Sequence, residues 1–508
     1  MKNRYLYGAS VQGIQSFIFE TNKLKEIVGA SEMIEQICTE KYKDFIEADK
    51  IEVILAAAGN IRLIAEDTDE LKEIVRRFPK EASDCAPGIT ISQAVVELIE
   101  NKEKDSMNTL EDRLKIQRNK PPRPTQITAL GIERSRRTGK SAIERDKDGC
   151  LIDKASYLKR KNLTGKDLDA HSHLASKLIG LPNVAFKKIK DRKIHFPLNM
   201  DDITNKQCGW LAVIHADGNN LGKLIQELSG DDILKSYKDF STNLDSATCK
   251  AAANSFDKSL FKKIEEGKIE ITNYKFPIRP IVIGGDDLTV ICRADLAIDF
   301  ITTYLKEFES ETSKIFKDIF KENKQLTACA GIAFVKKSYP FHYAIKLAEE
   351  LCAVAKLKSK SIDPTKLKLK SIDPANVPSS LIFHKIQSSY VDTYGEIKER
   401  ELTAAASGIK FDYGPYAIDD NVPDMPYIEN LIKRVKILKE KESPKTGLRK
   451  WLFDLHKDEG NATQLMNRIK KITKEHFVKD LGLDKAIIDN KTMIYDMLTL
   501  LSIEGGEV

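Results

Sequence analysis

Residues 279–293 read RPIVIGGDDLTVICR. An apolar run on each side of Gly284, Gly285, Asp286 and Asp287 predicts two strands joined by a tight turn, with adjacent carboxylates at the hairpin tip. The glycines let the backbone turn sharply and let a bulky ligand approach. Successive strand residues point to opposite faces, so both aspartates reach one point only if the turn redirects the chain.

Working outward, WLAVIHAD (residues 210–217) is a strand ending in Asp217, and GNNLG leads from it into the helical LGKLIQEL. A helical region containing AAANSFDKSLFKKIEEG precedes the hairpin. A helix over residues 294–321, the strand LTACAGIAFV and the helix FHYAIKLAEELCAVAK follow it. Strand, helix, hairpin, helix, strand is the ferredoxin-like βαββαβ order, here that of a nucleotide-polymerising palm. Its first and third strands are central neighbours, so Asp217 is expected beside Asp286 and Asp287.

Three carboxylates about 4 Å apart repel by roughly 4 kcal/mol per pair at an effective dielectric near 20. A divalent cation is therefore their natural resident, and all-oxygen ligation favours Mg2+ or Mn2+ over zinc. With a nucleoside triphosphate as substrate, such ions would activate an attacking 3′-hydroxyl and stabilise departing pyrophosphate. Gly218, Asn219, Asn220 and Gly222 form a turn at a helix start that offers backbone N–H groups to a triphosphate. Lys356 is a candidate phosphate clamp. A lone GGDD is often only a polar turn, and the strand-end Asp217 in this strand order is what turns the reading toward catalysis. His215 reads as a packed strand residue. His171 and His173 lack a third ligand nearby, so no metal is expected there.

The same order occurs earlier: YLYGAS, a helix from Gln12 to Ala48, the hairpin EVILAAAGNIRLIAE, a helix from Asp69 to Glu81, and GITISQAVVEL. ILAAAGN (residues 54–60) superimposes without a gap on IVIGGDD (residues 281–287), putting Ala57, Ala58, Gly59 and Asn60 where the glycines and aspartates fall. Ser10 takes roughly the place of Asp217. The first copy thus reads as a duplicated palm without carboxylates, and non-catalytic.

The expected fold class is α+β: a first palm (residues 1–110), a basic insert (111–207), a catalytic palm (208–360), and a linker with a helical C-terminal domain (361–508). The insert is basic over residues 113–166 and suits either a solvated linker or a surface facing RNA. KSIDP occurs at Lys360 and again at Lys370, with Pro364 and Pro374 as breakers, and reads as a hinge. Across 508 residues, 82 Lys plus Arg oppose 76 Asp plus Glu, so net charge says little about nucleic acid. The eight cysteines are scattered without zinc or redox spacing. With no apolar signal segment and no run of 18 apolar residues, a reduced, cytoplasmic protein away from membranes is expected.

VQGIQSFIFETNKLKEIVGAS (residues 11–31), ADGNNLG, IGGDD, AGIAFVK and AIKLAEELCAVAK together resemble the large polymerase-like subunit of type III CRISPR effector complexes. SSLIFHKIQSS and ERELTAAAS extend the likeness to about residue 410. The resemblance implies two palms facing each other, a helical C-terminal domain contacting a small subunit, and partner subunits with guide and target RNA. It also implies joining of ATP into cyclic oligoadenylate messengers. Asp286 and Asp287 match the family's metal-binding hairpin, Gly284 and Gly285 its glycine pair, and Asp217 its strand-end acid. No His-Asp dipeptide occurs and the palm starts at residue 5, so the DNA-cutting HD domain of many members is not expected. Paired cysteines are missing from the insert, so neither is structural zinc. Two other readings keep their place: a stand-alone synthase making a dinucleotide or AMP conjugate, and a silent RNA-binding scaffold.

Overall fold

Alternating apolar residues build β1 (Arg4–Gln12), β2 (Ile51–Ala57), β3 (Asn60–Ala65) and β4 (Thr90–Leu98), which pair antiparallel in the order β2-β3-β1-β4. The computed structural model describes residues 4–45, 51–57, 59–66, 68–120, 131–163, 173–180, 194–227, 233–320, 325–362, 377–388 and 393–505. Ala58, His171 and most of the KSIDP repeat lie outside them.

One face of this sheet, with Tyr7, Ala9, Ile61 and Leu63, packs on α1 (Ile14–Ile18), α2 (Leu24–Thr39) and α3 (Thr68–Cys85). The other, with Leu6, Ile64 and Val96, meets Leu110 and Leu114 of α4 (Glu103–Arg118). The helix expected from Gln12 to Ala48 is broken. Thr21 Oγ1 accepts from the Lys23 N–H at 3.1 Å and donates to Glu26 at 2.5 Å, a local turn that competes with helix. Residues 46–48 are outside the described set.

In the insert, β5 (Ala142–Arg145) and β6 (Leu151–Asp153) pair, followed by α5 (Lys154–Lys161) and α6 (His173–Ile179). Its described part is fastened to α2 and is not a free linker: Arg137 and Arg160 both pair with the buried Glu26, at 3.0 and 2.5 Å. A Cβ on Gly29 would lie 1.8 Å from the Lys159 carbonyl oxygen, so only glycine allows α5 this close. The expected linker also begins later, because residues 113–118 close α4.

The second sheet has β7 (Trp210–Gly218), β8 (Ile278–Gly284), β9 (Asp287–Arg293) and β10 (Ala328–Lys336), extended by β11 (Ser380–Lys385) and β12 (Tyr416–Ala417), in the order β12-β11-β10-β7-β9-β8. Its first four strands repeat the first sheet's order. Connecting helices α7 (Leu221–Glu227), α8 (Ile233–Phe256) and α9 (Ala297–Phe320) lead to α10 (Phe341–Lys360). A Cβ on Gly331 of β10 would meet the Ala348 carbonyl oxygen at 2.0 Å, so α10 lies directly on the sheet. β11, with apolar Leu381, Ile382 and Phe383, runs parallel to β10 and so belongs to the palm sheet although it lies within the stretch read as linker and helical domain.

The remainder is helical: α11 (Tyr394–Arg400), α12 (Ile428–Leu438), α13 (Lys445–Lys457), α14 (Glu459–Ile472), α15 (Glu475–Asp480) and the almost wholly buried α16 (Ile494–Ile503). No described helix is long and apolar enough to cross a membrane.

Candidate metal and nucleotide site

Register sets the site. β7 and β9 pair through Ala216↔Leu288, so one step further Asp217 ends its strand beside Asp287. Gly284↔Asp287 closes β8 onto β9 and leaves Gly285 and Asp286 as the turn. Gly285 has φ +62°, the left-handed region that a glycine enters at little cost. Helix α8 clamps the turn from outside: Thr248 Oγ1 donates to the Gly285 carbonyl at 2.6 Å, and the Gly285 N–H donates to Asp245 Oδ1 at 3.2 Å.

The turn brings Asp286 and Asp287 to one side, and with Asp217 each offers a carboxylate oxygen within 4.8 Å of the others. Among the described residues this is the one cluster with metal-ligand geometry. Gly218 makes room for it, since a Cβ there would stand 2.9 Å from Asp286 Cβ. Burial, then the neighbouring carboxylates of Asp287 and Asp217, push Asp286 up to about 8. Burial and Asp217 raise Asp287 to about 7, against the opposing pull of Lys356. Desolvated carboxylates that resist ionising together are a donor set suited to a hard divalent cation.

Lys356, expected as a phosphate clamp, stands at the edge of the cluster. Its ammonium pairs with the Asp217 carboxylate and donates to the Gly218 carbonyl at 2.8 Å. Asn219 is turned inward: its backbone N–H donates to the Thr327 carbonyl at 2.8 Å and its amide to Thr327 Oγ1 at 3.1 Å. Asn220 sits at φ +58°, and Gly222 faces open space.

Beside the cluster lies a cavity of about 450 Å³ between the palms, lined by Gly13, Gln15 and Gly59 from the first and by Gly284, Asp287 and Glu349 from the second. Three contacts hold the palms together around it. Ser31 Oγ of α2 donates to the Ile281 carbonyl. Lys177 of α6 donates to the Ile283 carbonyl at 3.0 Å and pairs with Glu35 at 2.8 Å. The Phe341 N–H donates to Asn22 Oδ1 at 2.8 Å.

Glu349 and His215 are lining residues not foreseen as such. Burial raises Glu349 to about 7. It precedes Lys356 by seven residues, two turns of α10, and that spacing was the available signal. His215 Nδ1 is 3.1 Å from Thr289 Oγ1, and burial holds its pKa below the usual histidine value, so it is packed as expected and also faces the cavity. The His173 backbone N–H donates to Glu32 at 3.1 Å.

Fold and site together define a double-palm protein with an acidic cluster at one hairpin. The sequence profile of the Cas10/Cmr2 second palm domain matches residues 210–362, so that part of the chain is a palm of that family. A comparison with curated proteins finds no match. Among solved structures, Csm1-Csm4 with pppApApA is 13% identical with TM-score 0.54, covering 99% of this chain and 69% of the other. The Csm1-Csm4 subcomplex of the type III-A interference complex is 14% identical with TM-score 0.52, covering 100% and 70%. Csm1-Csm4 with cA4 is 12% identical with TM-score 0.51, covering 99% and 70%. At these identities the likeness carries the fold.

Proposed function

We propose that this chain is a divalent-metal-dependent nucleotidyltransferase that joins ATP into linear and then cyclic oligoadenylates as the Cas10-like subunit of a type III CRISPR complex. The observation that carries this is the convergence of Asp217, Asp286 and Asp287 within 4.8 Å, with Asp287 reaching the cavity between the palms. Structures of similar fold hold pppApApA and cA4, a linear intermediate and a cyclic product of such a reaction.

Asp217, Asp286 and Asp287 would hold Mg2+ or Mn2+, which when bound neutralises phosphate charge and makes the attacking 3′-hydroxyl more nucleophilic. The remaining work is positioning. Gly218, Gly284 and Gly285 keep the approach clear of side chains, while Asn220 and Gly222 border the triphosphate path. Lys356 steadies Asp217. The first palm, through Gln15 and the Gly59 turn, forms the acceptor side. There the 3′-oxygen bonds to the α-phosphorus of the second ATP, the bond to the β-phosphate breaks, pyrophosphate leaves, and the hydroxyl proton passes to solvent. Partner subunits with guide and target RNA, and a reduced, cytoplasmic setting for eight free cysteines, belong to the same reading.

The test is pyrophosphate release from ATP by the full chain in its effector complex with target RNA. Magnesium-dependent release that disappears in Asp286→Ala, with oligoadenylates by mass spectrometry, is expected. Equal release by wild type and variant overturns it, and a dinucleotide or AMP conjugate would keep the chemistry while replacing the product.

A further inference from the structure

At the opposite end of β7 from Asp217 lies a second cleft, of about 870 Å³, between the edge of the palm sheet and the C-terminal helices. Seven residues along a strand separate Trp210 from Asp217, about 23 Å at 3.3 Å per residue, so the two sites are distinct.

Strand register gathers cations here. Lys336 of β10 is paired directly with Trp210 of β7, and β11 brings Lys385 alongside. The Lys336 and Lys385 ammonium groups stand 3.9 and 4.3 Å from the centre of the Trp210 ring. Arg449 of α13 completes the set from the opposite wall, and no acidic residue lines the cleft among the described residues. Lys385 donates to Ser502 at 2.6 Å, which fixes its direction without neutralising it. Burial, then Lys336 and Arg449 nearby, lowers Lys385 to about 8, as expected of cations crowded without a counter-anion. Tyr339, Gln387, Ser388 and Tyr495 supply aromatic and polar surface along the same walls.

Three cations facing one cleft with no acidic residue among its described lining call for an anion, and the volume far exceeds a lone phosphate. Cations set beside aromatic and amide groups suit a strand that offers both phosphates and bases. We propose that this cleft binds a short single-stranded stretch of RNA, with backbone phosphates against Lys336, Lys385 and Arg449 and a base against Tyr339. The site stands independently of the catalytic reading.

The probe is a fluorescein-labelled single-stranded decauridylate added to the full chain in EDTA without ATP, which avoids adenylate binding at the palms. Lys336→Ala/Arg449→Ala is expected to bind about tenfold more weakly. Its log K against log salt slope should be shallower by about 1.4, at ~0.7 per phosphate contact for single strands. Of the two tryptophans, Trp451 is buried, so binding should change an emission that Trp210→Phe removes. Lys385→Gln, which keeps a donor toward Ser502, is expected to weaken binding in the same way where the double variant fails to fold. The proposal is overturned by unchanged affinity and salt slope in a double variant that melts like wild type. It is equally overturned if a hexaglutamate peptide displaces the RNA at comparable concentration, which would make the cleft a seat for an acidic protein segment.

Discussion

The two palms share one strand order and one register, and they differ at the place where register points. In the first, Ser10 is paired with Asn60 and donates to its side-chain oxygen at 3.0 Å, closing the position with a neutral hydrogen bond. In the second, the equivalent step brings Asp217 beside Asp287, with Asp286 alongside. The ion pair on the face covered by each palm's last helix also differs. Arg62 on β3 of the first palm pairs with Glu111 of α4 at 2.7 Å, whereas Asp217 on β7 of the second pairs with Lys356 of α10. One scaffold thus takes a satisfied polar pair or a strained acidic cluster with the same topology, so the fold does not require the carboxylates.

The largest expected effect comes from removing that difference. Asp287→Ala should lower pyrophosphate release by at least about 100-fold, the scale of losing one preorganised electrostatic group, whereas Asn60→Ala should leave it within about twofold. Equal losses would erase the distinction between the palms.

The acidic cluster should also show in stability. Because Asp286 and Asp287 titrate near 8 and 7 in the folded chain, above ordinary carboxylates, the folded state keeps protons that the unfolded chain releases. Metal-free protein should therefore lose stability as pH rises from about 5 to 8, and magnesium should restore more at pH 8 than at pH 6. Thermal unfolding in EDTA with and without added magnesium checks this. Asp286→Asn should flatten the slope, and an equally steep slope in that variant would contradict the assignment.

Lys356→Met should reduce turnover by about tenfold, with melting temperature in magnesium little changed, because it steadies Asp217. A rise in KM for ATP alone would return Lys356 to the phosphate-clamp role. The smallest effect on chemistry belongs to Ser10→Asp/Asn60→Asp in the first palm. Losing the hydrogen bond and adding like charges should destabilise the chain by about 1–3 kcal/mol in urea unfolding, and it should not rescue an Asp287→Ala chain.

The hairpin, both strand orders and the acidic trio were legible because each is written in local runs: IVI and LTVI around GGDD, WLAVIHA before Asp217, and the gapless match of residues 54–60 to 281–287. What was not legible depends on tertiary packing. That the Lys356 ammonium rests on the Asp217 carboxylate and the Gly218 carbonyl is not recorded in any local run. Asn219 looked like part of a phosphate loop, whereas its donors are taken by Thr327, 108 residues away. The anchoring of the insert through Glu26 and the parallel addition of β11 likewise rest on partners that no local pattern names, whereas the break at Thr21 is made by the nearby Lys23 and Glu26.

Manganese binding followed by electron paramagnetic resonance, in the full chain with a non-hydrolysable ATP analogue, tests the shared acidic cluster most directly. Tightly bound Mn2+ in wild type that is lost in Asp217→Ala/Asp286→Ala/Asp287→Ala, and retained in Ser10→Ala/Asn60→Ala, is the predicted result. Equal occupancy in wild type and the triple variant would contradict it.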